Sequence, residues 1–183
     1  MKRKTSGCSA VVTLLLITAV MAGLLALVNS VTAAQREKTE QALSCVLRPG
    51  VQLGETLTAF PDETGLVQAV YETSDGYVVE VAPSGYGGEL LMVVGIDGSC
   101  AVTGIQIVSH SETASLGANA AADNAAGRSF REQFLGATGT LSVTKDGGAI
   151  DALTGATMTS RAVTQGVNAA LACAEALEGG NLQ

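Results

Sequence analysis

The feature that most constrains this chain is a long uncharged segment near its N-terminus. No charged side chain occurs between Lys4 and Arg36, a gap of 31 residues, and residues 11–31 are mostly Val, Leu, Ile and Ala. A helix rises about 1.5 Å per residue and the hydrocarbon core of a bilayer is roughly 30 Å thick, so this stretch is long enough to span it. We therefore predict a transmembrane helix at residues 10–32.

The charges on either side of this segment predict its orientation. Lys2, Arg3 and Lys4 are three of the 10 basic residues, whereas all 17 acidic residues lie after residue 34. Because basic residues favour the cytoplasmic side, we expect a cytoplasmic stub at residues 1–9 and an extracytoplasmic C-terminal domain, with a single pass through the cell (inner) membrane.

The alternative for this segment is a cleaved signal peptide, since residues 31–33 resemble a small-residue cleavage site. Its apolar stretch is longer than the roughly 7–15 residues of signal peptides, which favours a retained anchor.

Net charge and cysteine spacing exclude other functions. A net charge of −7 argues against nucleic-acid binding, which needs a surplus of Lys and Arg. The four cysteines form no Cys-x-x-Cys pair, and the chain has one His, so neither a zinc site nor an iron–sulfur cluster is expected. Of the cysteines beyond the anchor, Cys45, Cys100 and Cys173 permit at most one internal disulfide, and their pairing stays open.

The residues beyond the anchor predict a stalk and an α+β domain. Residues 33–47 keep a helical pattern that ends at a Pro-Gly stop, which predicts a helical stalk at residues 33–50. Apolar runs separated by Gly-containing turns then predict an antiparallel sheet with hairpin connections. The predicted strands are 67–73, 77–81, 90–96 and 101–109, and a short strand at 140–144 follows a polar loop.

Apolar residues at helical spacing predict a last helix from about 160 to 178. Strands first and helices late are typical of an α+β fold, here an antiparallel-sheet domain at residues 51–183.

The segment Asp151–Ser160 carries the most distinctive chemistry. Three threonines and a serine lie at the predicted entrance of the last helix, where unpaired N–H groups and positive potential favour anions such as phosphate. The small residues Gly155 and Ala156 would let a bulky group approach the backbone. The simpler interpretation is that Thr159 or Ser160 is an N-cap and the others are exposed loop residues. Spacing alone favours that interpretation.

A resemblance to a known family favours the phosphate-binding interpretation of this segment instead. Residues 151–157 (Asp-Ala-Leu-Thr-Gly-Ala-Thr) resemble the Asp-x-x-Ser/Thr-Gly-Ala-Thr flavinylation motif. Almost the entire chain resembles the G subunit of the Rnf ion-translocating oxidoreductase and the related C subunit of sodium-pumping NADH:quinone reductase. The other parts of the resemblance are the end of the anchor at 27–32, the bend 85–88 leading to 94–97, the segment 110–113, Phe130-x-x-Gln133-Phe134, and 154–160 before Ala162-Val163.

The resemblance implies that a flavin transferase uses FAD to attach FMN through a phosphodiester to Thr157, making it a phosphorylated threonine. Asp151 and Thr154 would be recognised by the transferase or would shape the turn. Two segments would supply further cofactor contacts: Thr154, Gly155, Ala156, Met158 and Thr159 in the motif, and Glu112, Thr113, Leu116 and Gly117 in a preceding loop.

That preceding loop departs from the family pattern. Relatives commonly read His-x-Glu-Thr-Pro-Gly-Leu-Gly, whereas Ala114 and Ser115 stand here in place of Pro-Gly. The departure affects the expected backbone shape at 114–115. Glu112 is equally well explained as one of the 17 acidic side chains, and an ordinary loop role is at least as good an explanation for His110. The bend at Tyr86 is better explained as a structural hairpin.

By resemblance, the chain is an electron-transfer subunit that is not catalytic alone. Its complex would couple electron transfer between ferredoxin and NAD to Na⁺ or H⁺ translocation, with other membrane subunits as partners. A single anchor without charges offers no ion path of its own. The alternatives are the FMN subunit of Na⁺-translocating NADH:quinone reductase, an independent extracellular flavoprotein, and a cofactor-free anchored binding module.

Overall fold

The computed structural model describes residues 6–180, which form two compact units, one ending at Lys38 and one beginning at Thr39. Helix α1 runs from Ser6 to Val46. Its segment Val11–Ser30 is long and apolar enough to cross a membrane, with a mean hydropathy of 2.8 and no buried part. The last turns of the predicted stalk belong to the second unit.

The second unit is built on an antiparallel sheet of five strands in sequential order. The strands are β1 (Leu53–Thr56), β2 (Val67–Thr73), β3 (Gly76–Val81), β4 (Leu91–Asp97) and β5 (Val102–Ser109). The predicted α+β fold is confirmed. Strand β1 was not predicted, because its four residues are all exposed and show no apolar alternation.

Both faces of the sheet are covered, which explains the nearly continuous apolar runs of β3 and β4. On one face, Val79 and Val94 pack in the main core with helix α3 (Thr157–Gly180). On the other face, Val78 and Val93 pack against Ala42, Leu43 and Val46 from the end of α1. A shorter helix, α2 (Ala125–Glu132), precedes α3.

Two local predictions are wrong. Residues 140–144 are not a strand: Val143 makes a single bridge to Ile150, and Thr144–Asp146 form a 3-10 turn. The chain turns there because Gly147, at φ 85°, ends that turn in a left-handed conformation that favours glycine.

The N-cap interpretation of Thr159 and Ser160 also fails. Helix α3 begins at Thr157, so both residues lie within its first turn. The Ser160 hydroxyl donates to the carbonyl of Ala156 and accepts from the N–H of Leu153.

The cysteines beyond the anchor are free thiols: Cys45 is exposed, Cys100 is partly buried and Cys173 is buried. Burial, with a smaller contribution from Asp62, raises the pKa of Cys173 to about 11. Within residues 6–180, no group of three or more His, Cys, Asp or Glu side chains is placed to hold a metal ion.

Candidate functional site

A cavity of about 550 Å³ opens beside the first turn of α3. Its size falls within the roughly 300–1,000 Å³ of small-molecule sites. Four segments form its walls: the bend after β3, the loop after β5, the 3-10 turn at 144–146 and the start of α3. The lining residues are Tyr86, Glu112, Thr113, Leu116, Gly117, Lys145, Gly155, Ala156, Thr157, Met158 and Thr159.

The structure brings together nearly all the residues that the sequence motifs singled out. Of the predicted cofactor contacts, Thr154 alone is outside the lining, where it is exposed in the turn before α3. Two lining residues, Tyr86 and Lys145, were not predicted as site residues. Only the Gly-rich bend hinted at Tyr86, and no signal in the sequence connected Lys145 with Thr157.

Thr157 is the first residue of α3, and its side chain is partly buried at the cavity. Its Oγ1 accepts a hydrogen bond from Nζ of Lys145 at 3.0 Å. The first N–H groups of a helix lack intrahelical acceptors and carry positive potential. A hydroxyl at this position therefore lies where a phosphate would be stabilised on two sides.

Glu112 connects three of the cavity walls. It is 9% exposed. Its Oε1 accepts from the N–H of Gly87 at 3.0 Å, and its Oε2 accepts from Oγ1 of Thr159 at 2.6 Å. The carboxylate thus joins the bend after β3, its own loop and the first turn of α3. Both of its oxygens are bound to protein donors, so its role in this structure is to hold the walls together.

The glycines around Glu112 are required by close approach. A Cβ at Gly85 or at Gly117 would overlap a carboxylate oxygen of Glu112, and one at Gly87 would overlap the carbonyl of Ser111. The Gly-Tyr-Gly-Gly bend can therefore pack against the loop that contains Glu112 only because the residues on either side of Tyr86 have no side chains. This packing leaves the Tyr86 side chain 74% exposed at the cavity.

Part of the cavity lining is apolar and exposed. Beyond Thr39, the large hydrophobic side chains that are exposed in the described chain are Leu53, Tyr86, Leu116, Leu135 and Met158. Three of these, Tyr86, Leu116 and Met158, line this one cavity. Exposed apolar surface gathered at a concave site indicates a ligand with a large apolar part.

The loop at 113–117 keeps a tight turn despite its departure from the family pattern. Ser115 has φ 63°, in the left-handed region that favours glycine. The N–H groups of Leu116 and Ala118 donate to the carbonyl of Thr113 at 3.2 and 3.1 Å, and the Asn119 side chain donates to the carbonyl of Ser115 at 2.9 Å. These bonds hold the serine in the conformation that a glycine adopts readily.

Comparison with known proteins agrees with this geometry. Residues 85–172 match the FMN-binding domain family, a range that contains every lining residue of the cavity. FMN fits the site chemically, because the dimethylbenzene end of its ring system is apolar like Tyr86, Leu116 and Met158, and its phosphate suits the Lys145 and Thr157 side.

Three relatives illustrate the likeness. The G subunit of an ion-translocating oxidoreductase complex from Methanosarcina acetivorans is 32% identical over 183 residues, covering 92% of this chain and 95% of the relative. The corresponding protein from Aliivibrio fischeri is 33% identical over 156 residues, 81% of this chain and 71% of the relative. The G subunit of the Na⁺-translocating ferredoxin:NAD⁺ oxidoreductase complex of Acetobacterium woodii is 44% identical over 98 residues, 51% of this chain and 46% of the relative. The chain therefore belongs to the family of G subunits of ion-translocating oxidoreductase complexes.

Proposed function

We propose that this chain carries FMN, bound covalently through a phosphodiester to Thr157, as an electron-transfer subunit of a membrane complex. The observation that carries the proposal is the position of the Thr157 hydroxyl. Thr157 is the first residue of α3, its hydroxyl is in contact with Lys145, and it lines a cavity of about 550 Å³ whose lining includes exposed apolar side chains. Lys145 and the helix start suit the phosphate, and Tyr86, Leu116 and Met158 suit the ring.

The attachment reaction would be a phosphoryl-type transfer carried out by a flavin transferase. Thr157 Oγ1 loses its proton and bonds to the FMN phosphorus of FAD, the pyrophosphate bond breaks, and AMP leaves. Once attached, FMN supplies the electron chemistry, and the protein supplies its position and surroundings.

The complex would transfer electrons between ferredoxin and NAD, as the names of two relatives state for their own complexes. One is the Na⁺-translocating complex of Acetobacterium woodii, and the other is the proton-translocating complex of Clostridium ljungdahlii, whose G subunit is 43% identical over 108 residues. The first alignment spans less than half of the relative and the second about half, 46% and 56%. The names differ in the coupling ion, so the proposal includes either Na⁺ or H⁺.

The membrane part of the proposal places the N-terminus in the cytoplasm and the FMN-binding domain outside. The 20-residue segment Val11–Ser30 would be the single anchor, and other membrane subunits would exchange electrons with the flavin.

The test is the intact mass of the full-length protein exported together with a flavin transferase. We expect a gain of one FMN less water, mapped to Thr157 and absent from Thr157→Ala. Thr140→Ala is the matched control, because this exposed threonine lies outside the cavity. An unmodified, colourless chain, produced while the transferase modifies another substrate, would rule out the covalent flavin.

A further inference from the structure

Lys145 is the only basic residue among those that line the cavity in the described chain, and Glu112 is the only acidic one. The Glu112 carboxylate is bound to Gly87 and Thr159. None of the ion pairs found in the described residues includes Lys145. Its ammonium group instead donates to a neutral hydroxyl, that of Thr157, at the edge of the cavity.

Neighbouring contacts hold Lys145 in this place. The side chain before the 3-10 turn, Val143, is 1% exposed in the core. The next residue after Lys145, Asp146, accepts two hydrogen bonds from Arg161 of α3, at 2.7 and 2.6 Å. Arg161 lies one turn after Thr157 in the same helix. The turn is therefore attached to the helix that carries Thr157, and Lys145 is directed over the start of that helix.

A charged ammonium bonded to a neutral hydroxyl retains the capacity to bind an anion. An ammonium and a phosphate carry opposite charges, so a hydrogen bond between them includes a Coulomb attraction that a neutral hydroxyl does not provide. An oxygen of a phosphate would therefore be a better partner for Nζ than the hydroxyl that it now contacts.

We propose that Lys145 is the phosphate-binding residue of this cavity. It binds the phosphomonoester of FMN that is held without a covalent bond, and the phosphodiester of FMN that is attached to Thr157. The proposal rests on the proposed function in so far as the cavity takes FMN, but it does not require the covalent bond. It makes Lys145 a specificity-determining residue that favours FMN over riboflavin, which has the same ring and no phosphate.

The first experiment separates phosphate binding from covalent attachment. Full-length Thr157→Ala, which cannot be modified, is titrated in detergent with FMN and with riboflavin. We expect FMN to bind about tenfold or more tightly than riboflavin, as one charged hydrogen bond provides. Adding Lys145→Met should remove most of this preference, because only the start of α3 then remains to stabilise the phosphate, whereas Lys145→Arg should keep most of it. Lys38→Met, which removes an exposed lysine outside the cavity, should leave the preference unchanged.

Riboflavin is also the control for folding, because Thr157→Ala should bind it with the same affinity whether or not Lys145→Met is added. Equal affinity of Thr157→Ala for FMN and riboflavin would overturn the proposal. So would a preference for FMN that is undiminished in Thr157→Ala combined with Lys145→Met.

The second experiment measures the rate of FMN attachment to Thr157 by mass spectrometry, at fixed transferase and FAD. Lys145→Met should be modified about tenfold more slowly than the wild type, and Lys38→Met at the wild-type rate. If the wild type is not modified but Thr157→Ala still prefers FMN to riboflavin, the covalent bond is contradicted but the role of Lys145 is not. If Lys145→Met is modified at the wild-type rate and does not change the FMN preference of Thr157→Ala, the role of Lys145 is contradicted but the covalent bond is not.

Discussion

Ser115 shows how one residue can depart from a family pattern and keep the shape of a site. It holds φ 63° in the loop that lines the cavity, at the position where the pattern that this loop resembles has glycine. A residue with a Cβ loses roughly 1–2 kcal/mol in the left-handed region. Hydrogen bonds within the loop, including the one from Asn119 to its carbonyl, hold the conformation.

Replacing Ser115 with Gly should therefore stabilise the protein. We expect Ser115→Gly to raise the free energy of unfolding by about 0.5–1 kcal/mol, because the relief of strain exceeds the added entropy of the unfolded chain. Thermal unfolding of the full-length protein in detergent measures this. Ser142→Gly is the control: Ser142 is exposed and has no positive φ, so that variant should gain nothing. An equal gain in both variants would contradict the strain at Ser115.

Glu112 provides the second prediction at this scale. Glu112→Ala would leave the Thr159 hydroxyl and the Gly87 N–H without their acceptor and should lower the free energy of unfolding by about 1–3 kcal/mol. Glu112→Gln should lose less, because its amide can still accept from one group and donate to the other. Chemical denaturation would measure both variants. Glu175→Ala, which alters an exposed carboxylate, should stay within about 0.5 kcal/mol of wild type. If Glu112→Ala lowers the free energy of unfolding by no more than Glu175→Ala does, the packing of the three cavity walls does not depend on Glu112.

At the scale of elements, the turn after β4 is held by Asp97. Its Oδ1 accepts from the hydroxyl and the N–H of Ser99 and from the N–H of Ala101, and its other oxygen pairs with Arg48. Burial of the carboxyl opposes ionisation, but hydrogen bonds from Ser99, Ala101 and Arg48 outweigh it and lower the pKa of Asp97 from 3.8 to about 2. The carboxylate thus ties the β4–β5 hairpin to the segment that follows α1.

This lowered pKa predicts how stability depends on pH. A carboxyl with a pKa below its unfolded value contributes stability above about pH 4, and this contribution is lost as the pH falls towards about 2. Asp97→Asn should be less stable than wild type at pH 7 and should lose less stability between pH 4 and pH 2. Denaturation curves across that range measure the difference. Asp123→Asn, which alters a carboxylate that is 88% exposed, should keep the wild-type pH dependence. An unchanged pH dependence in Asp97→Asn would contradict the assignment to Asp97.

At the scale of the whole molecule, α1 combines two roles in one continuous helix. Its segment Val11–Ser30 is uncharged and exposed, whereas Ala42, Leu43 and Val46 near its C-terminus are buried against one face of the sheet. The same helix therefore supplies a candidate membrane span and part of the core of the FMN-binding domain.

A charge at the centre of the span should weaken membrane insertion. An arginine there costs about 2.5–3.5 kcal/mol in insertion. We expect Val20→Arg to lower the fraction of protein that stays in membranes after alkaline carbonate extraction, and Val20→Leu to leave it unchanged. Release of the wild-type protein by carbonate, or an N-terminus found at residue 34, would support the signal-peptide alternative.

The sequence alone determined the features that depend on neighbours along the chain. The length of the apolar segment predicted the span, alternating and apolar runs predicted β2 to β5, and helical spacing predicted most of α3. The strand predicted at 140–144 was wrong. Val143 is apolar because it is buried in the core, not because it belongs to a strand, and the chain turns at Gly147. The motif at 151–157 identified Thr157 as the flavin acceptor only through its resemblance to a known family. The spacing of these residues by itself favoured a capped helix start.

Only the tertiary structure decided how the site is assembled. Glu112 meets Gly87 and Thr159 from positions 25 and 47 residues away, and Lys145 reaches Thr157 through a turn attached to α3. Such contacts depend on how the sheet, the loop and the helix pack, and no local pattern of residues records that packing. The sequence thus predicted an anchored α+β domain with a threonine as flavin acceptor, and the fold placed that threonine beside a lysine at a cavity with a partly apolar lining.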